Sequence, residues 1–148
     1  MVYLTNGASL AEDLTQETFA SAWANISGYK GRASLKTWLH RIAYRKFIDS
    51  KRRLQRHTAV IDKLKQNSSG SMETFNPLHH LMADEHLRIL YEAMHKLQTP
   101  EYLVIVLHYI QGLSFREMAK VLDESVGTVK WRTSRALKEL KTFLTGRI

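Results

Sequence analysis

The 148-residue chain has no cysteine, which excludes disulfides, thiol nucleophiles and cysteine-ligated zinc and agrees with a reducing cytoplasm. Two prolines and seven glycines exclude collagen-like and proline-rich classes. No apolar run approaches the ~20 residues that span a bilayer, and the first residues show no basic segment followed by an apolar one. What is present is 44% hydrophobic and 24% charged residues, enough apolar material for a core and unlike a disordered tail. The expectation is a basic cytoplasmic protein, not membrane-bound, of one ordinary domain or two small ones.

Acidic residues are scarce where basic ones are dense. The first 27 residues hold Glu12, Asp13 and Glu17 and no Lys or Arg. From Lys30 to Lys65 there are twelve basic residues against Asp49 and Asp62, more than the whole chain's excess of +8. The remainder is nearly balanced. Such a window suits a polyanion. A lipid surface fits less well, because Trp38, Leu39 and Ile42 read as core positions rather than a membrane-facing stripe.

Strand signals are weak, and the fold class expected is all-α with two small helical domains. Gln66-Asn67-Ser68-Ser69-Gly70-Ser71, then Asn76-Pro77, reads as a flexible connector over 65–82 between domains at 1–64 and 83–148. In the first domain, Ser9-Leu10-Ala11-Glu12 has a capping-box pattern that opens a helix to about Ile26. Its expected apolar side is Leu10, Leu14, Phe19, Ala22, Trp23 and Ile26, with Asp13, Gln16, Glu17 and Ala20 on another face. After the loop Ser27–Arg32, Ser34 caps a second helix to Arg53 or beyond, with Leu35, Trp38, Leu39, Ile42 and Ala43 inward.

The second domain reads as four helices, at about 84–97, 100–111, 115–122 and 126–144. Leu87, Leu90, Tyr91, Met94 and Leu97 point inward from the first. Thr99-Pro100 starts the second and Gly112 stops it. Ser114-Phe115-Arg116-Glu117 is a second capping box, Asp123-Glu124 a turn, and Ser125 the cap of the last helix. A short helix, a tight turn and a longer basic helix form a helix-turn-helix. The last helix presents Lys130, Trp131, Arg132, Ser134, Arg135 and Lys138, while Val126, Val129, Ala136, Leu137 and Leu140 hold it to its domain. Its small N-terminal residues allow close backbone approach to phosphate, and arginine can read guanine bidentately.

Two ordered motif sets resemble one family. Glu12 to Phe19, then Trp23, Leu35 to Ala43, Asp49 and Arg52-Arg53 resemble region 2 of extracytoplasmic-function bacterial sigma factors. Gly112 to Ala119, then Ser125 to Lys130 with Arg132, Arg135 and Ala136, resemble their region 4. The resemblance implies that Asp13, Gln16 and Glu17 bind a coiled coil of the RNA polymerase core. It implies that Tyr29, Arg41, Tyr44, Arg45, Lys46, Phe47, Arg52 and Arg53 open and read the promoter −10 element: cations hold the backbone and aromatics receive unstacked bases. It implies that Lys130, Trp131, Ser134 and Arg135 face bases of the −35 element, with Thr128 and Arg132 toward phosphate. Family members carry a further helix before the acidic motif, which this chain is expected to lack. A homodimer through the face so left open, and an anti-sigma partner, are the further partners expected. Arg45 stands where asparagine is frequent, and Trp131 where a small residue is usual, so base preferences do not carry over.

Two other classes compete. A regulator could bind an operator without polymerase, with the first half as a dimerisation domain. A metal-dependent nuclease could use Glu12, Asp13 and Glu17 for magnesium, but no general base stands beside them. His79-His80 with His86 reads as surface imidazoles. No enzyme activity, cofactor or metal is expected.

Overall fold

A computed structural model describes residues 5, 7–64 and 85–145. All regular structure among them is helical, as the sequence predicts. The elements are α1 (Ala8–Ala24), a 3-10 turn (Ile26–Gly28), α2 (Leu35–Leu64), α3 (Glu85–His95), α4 (Thr99–Ile105) running into a π-turn (Val106–Ile110), α5 (Phe115–Leu122) and α6 (Val126–Leu144). The expected connector 65–82, with His79 and His80, lies outside the described residues.

The chain divides into two compact units. The first holds α1 and α2 from Leu39 onward; the second holds Gly31–Trp38 and α3 to α6. Beside the expected domains at 1–64 and 83–148 with a connector at 65–82, the clustering sets Gly31–Trp38 with the second unit. Three hydrogen bonds explain why Gly31–Trp38 groups with the second unit: Lys36 Nζ donates to Gln111 O, Lys120 Nζ to Arg32 O at 2.9 Å, and Thr37 Oγ1 to Glu117 Oε1 at 3.2 Å.

In the first unit, the capping box at Ser9 does not form. Gly7, extended at φ −160°, is the N-cap without a side-chain bond, and Ser9 already lies inside the helix. The buried stripe of α1 is Ala11, Leu14, Thr18 and Ala22, at helical spacing. Leu10, Phe19, Trp23 and Ile26, expected inward, are exposed. Three of the four buried positions carry small side chains, and the Thr18 hydroxyl is satisfied by Leu14 O at 2.6 Å. α2 runs for thirty residues because no proline or glycine interrupts it. Its start is capped by Ser34, whose Oγ accepts the Thr37 N–H at 3.1 Å. Leu35, expected inward, is exposed, whereas Phe47 is buried.

The second unit has the larger core: Tyr91, Met94, Leu97, the run Tyr102–Leu107, Leu113, Met118, Val121, Leu122, Val129, Ala136 and Leu140 are buried. α6 packs on α3, α4 and α5. Leu87, Leu90 and Leu137, expected inward, stay at the surface. The expected single helix over 100–111 changes pitch. The Gln111 N–H reaches back to Val106 O and the Leu113 N–H to Leu107 O, and Gly112 at φ +69° turns the chain out. His108 fastens this wide turn, with Nδ1 2.7 Å from Leu113 O and its ring stacked on Phe115 at 4.6 Å. The second capping box forms as read: Ser114 Oγ accepts the Glu117 N–H at 3.3 Å, and the Glu117 carboxylate accepts the Ser114 N–H at 2.8 Å. Asp123 takes the left-handed conformation that ends α5, and Ser125 Oγ accepts the Thr128 N–H at 3.0 Å to start α6.

Candidate nucleic-acid interface

On α1, Asp13, Gln16 and Glu17 are exposed on one side of the helix, away from the buried stripe. Glu17 also reaches α2, where Lys46 Nζ lies 3.8 Å from its carboxylate. Glu12, Asp13 and Glu17 do not form a metal-binding group, and no such group of His, Asp and Glu occurs among the described residues.

The basic residues of α2 fall into two sets. Arg41, Arg45, Arg52 and Arg56 recur at helical spacing along one stripe; Arg45, Arg52 and Arg56 are exposed and Arg41 is half-buried. Lys46 and Arg53 instead line a groove with Leu14, Glu17, Asp49, Ser50 and Arg56. Arg56 bridges the two sets, and its Nε donates to Arg52 O at 3.3 Å.

The aromatic candidates also separate. Phe47 is 6% exposed, with Lys51 Nζ 5.9 Å from its ring centroid. A side chain held in the core cannot receive an extruded base without unpacking, so Phe47 drops out of the base-receiving set. Tyr29 and Tyr44 are half-buried. Trp38 is half-buried rather than a full core residue.

On α6 the candidates Thr128, Lys130, Trp131, Ser134, Arg135 and Lys138 are exposed. Thr128 shares a 2.8 Å hydroxyl contact with Ser125, and Lys130 Nζ lies 5.9 Å from the Phe115 ring centroid. Arg132 is mostly covered and paired with Glu124, so it ties α6 to the turn that precedes it. Its expected phosphate contact competes with that pair. Arg135 is also engaged: Nε is 3.1 Å from Glu139 Oε1 and 3.7 Å from Glu101 Oε1. Glu101 went unread in the sequence. Beside Pro100 it has the look of an ordinary acidic residue complementing a helix start, yet it is buried.

One chain that carries a helix-turn-helix and a strongly basic helical unit has the make-up of a transcription protein, and the comparisons agree. The model of Sigma-70 region 2 matches residues 1–57 and that of Sigma-70, region 4 matches residues 87–140. RNA polymerase sigma factor YlaC of Bacillus subtilis (strain 168) is 30% identical over 142 residues, covering 95% of this chain and 81% of that protein. The ECF RNA polymerase sigma-E factor of Haemophilus influenzae is 27% identical over 130 residues, covering 84% of this chain and 69% of that protein. Among solved structures, the sigma factor RpoE in complex with the anti-sigma factor NepR from Bartonella quintana has a TM-score of 0.77 at 26% identity, covering 98% of this chain and 87% of that one. CnrH in complex with the cytosolic domain of CnrY has a TM-score of 0.68 at 26% identity, covering 97% and 77%.

The chain belongs to the extracytoplasmic-function sigma factors, which direct RNA polymerase to promoters. Its relatives are transcription regulators rather than enzymes. No helix among the described residues is long and apolar enough to cross a membrane.

Proposed function

We propose that the work is divided along the chain. Asp13, Gln16 and Glu17 of α1 dock on the polymerase core. The stripe of Arg41, Arg45 and Arg52 on α2 holds DNA backbone while the −10 element opens, and Tyr29 and Tyr44 receive unstacked bases. Lys46 and Arg53 contribute from the groove edge. Thr128, Lys130, Trp131 and Ser134 of α6 contact the −35 element. The site of action is the cytoplasm, where polymerase meets promoter DNA.

The observation that supports this reading is the segregation of surface charge. The exposed row on α1 carries carboxylates and an amide, the row along α2 carries guanidinium groups, and a helix-turn-helix follows. Acidic and amide groups suit a protein partner and repel DNA, whereas the arginine row does the opposite. Each helical unit is small, so promoter affinity without polymerase is expected to be weak and steeply salt-dependent.

Two further partners belong to the proposal. Both structural neighbours are complexes, one with the anti-sigma factor NepR and the other with the cytosolic domain of CnrY, and an anti-sigma partner is proposed here too. A second copy of the chain is proposed to cover the face where Phe19 is 60% and Trp23 82% exposed. A dimer in sedimentation that Trp23→Ser disperses supports this; a monomer at high concentration removes it.

The main test is a pull-down with core polymerase followed by run-off transcription on a genomic library. Stable association and initiation from a defined promoter set are expected. Failure to bind polymerase, together with tight binding to a palindromic operator by the chain alone, would replace this reading with that of a helix-turn-helix regulator.

A further inference from the structure

Trp131 is 59% exposed on α6, although an indole in that position costs apolar contact with water. It is not left to swing freely. The Arg135 guanidinium carbon lies 5.6 Å from the Trp131 ring centroid, one helical turn on. Arg135 is held in turn by Glu139 at 3.1 Å on its own helix and by Glu101 at 3.7 Å from α4. Glu101 is 6% exposed, and a buried carboxylate is costly without a cation beside it. The chain of contacts runs from a fixed carboxylate in the core, through a planar cation, to an indole at the surface.

We propose that Trp131 is the specificity-determining residue of the α6 face, that it takes the C5-methyl of a thymine in the major groove, and that Arg135 and Glu101 are positioning residues that set its orientation. This rests on the reading that α6 enters the groove of the upstream promoter element. Thymine is the base whose major-groove edge carries an apolar group, so it is the base that an exposed indole can distinguish. An Arg135 already bound to two carboxylates and an indole would have to surrender them to read guanine by itself.

The test uses the full chain with core polymerase on a promoter selected by that holoenzyme. Each thymine of the upstream element is replaced in turn by deoxyuridine, which removes only the methyl group. The wild-type holoenzyme should lose about fourfold or more in affinity at one position, the scale of one buried methyl group. Trp131→Ala should bind more weakly and show no loss at that position. Arg135→Lys keeps a cation for Glu101 but loses the planar guanidinium beside the indole, so it should blunt the same position while leaving the melting temperature near wild type. Glu101→Gln should blunt it as well, and Trp131→Phe should retain it in part.

A flat deoxyuridine scan, or the same sensitive position in Trp131→Ala, overturns the proposal while leaving α6 as a DNA-binding helix. Sensitivity lost in Trp131→Ala but intact in Arg135→Lys overturns the positioning role. If the holoenzyme gives no protection of upstream DNA, and Lys130→Ala with Ser134→Ala changes nothing, the underlying assignment of α6 fails instead.

Discussion

Lys46 Nζ lies 3.8 Å from the Glu17 carboxylate, so an ion pair links the carboxylate row of α1 to the basic helix α2. Both side chains are partly exposed, and such pairs contribute at most about 1 kcal/mol. Glu17 is therefore free to change partner at little cost when polymerase arrives.

Replacing Asp13 and Glu17 together by Ala should weaken core polymerase binding by about tenfold or more, the range for truncating charges paired across an interface. The second unit should melt as before. Lys46→Ala breaks the same internal pair but keeps both carboxylates, so its polymerase affinity should stay close to wild type. Titration against labelled core polymerase compares the three proteins. An equal loss in Lys46→Ala would mean that packing of α1 on α2, rather than the carboxylates, governs binding.

Phe47 and Tyr44 lie close together on α2 but differ in burial. Phe47→Ala should cost about 3–5 kcal/mol of stability in the first unit, as a buried aromatic does. Tyr44→Ala should cost less than half of that and slow promoter opening instead. Urea unfolding and permanganate reactivity of promoter thymines separate the two. Impaired opening in a fully stable Phe47→Ala would return Phe47 to the base-receiving set.

The contrast shows which parts of the protein could be read from sequence. Helix starts and stops were legible where one side chain decides them: Ser114 with Glu117, Ser125, Gly112. Which apolar residues are buried was not, because burial depends on what packs opposite. The α1 sequence offers two apolar stripes, and the structure buries the one with small residues, leaving Phe19 and Trp23 outside. Ion pairs across the fold were equally hidden. Glu101 and Arg135 are 34 positions apart, and local spacing cannot bring them together. The π-turn escaped for a similar reason, since a β-branched run ending in glycine is compatible with several pitches.

The capping box carries a pH signature. The Ser114 backbone N–H and hydroxyl both donate to Glu117 and hold its carboxyl below the usual 4.5. Its stabilising contribution is fully present above 4.5 and is lost as pH falls through the lowered folded-state value, because the unfolded chain takes up that proton first. Glu117→Gln should remove this limb from a plot of melting temperature against pH. Ser114→Ala should cost about 0.5–2 kcal/mol at pH 7 as well. His95, packed between Tyr91 at 4.5 Å and Tyr102 at 5.3 Å, has its pKa lowered from 6.5 by burial. The unfolded chain protonates it first as pH drops through 6.5, so stability should decline there, and His95→Gln should flatten that limb.

The stripe on α2 predicts a salt dependence. Each cation that neutralises a phosphate contributes a slope of about 0.9 on duplex DNA and about 0.7 on a single strand in a plot of log affinity against log salt. Arg45 and Arg52 are exposed on that stripe, whereas Lys46 and Arg53 line the groove toward α1. Arg45→Ala with Arg52→Ala should therefore lower the slope by about 1.4–1.8 for holoenzyme on promoter DNA. Lys46→Ala with Arg53→Ala, which removes the same formal charge, should lower it by less. Equal reductions from the two pairs would show that net charge alone attracts the DNA and that the stripe has no positional role.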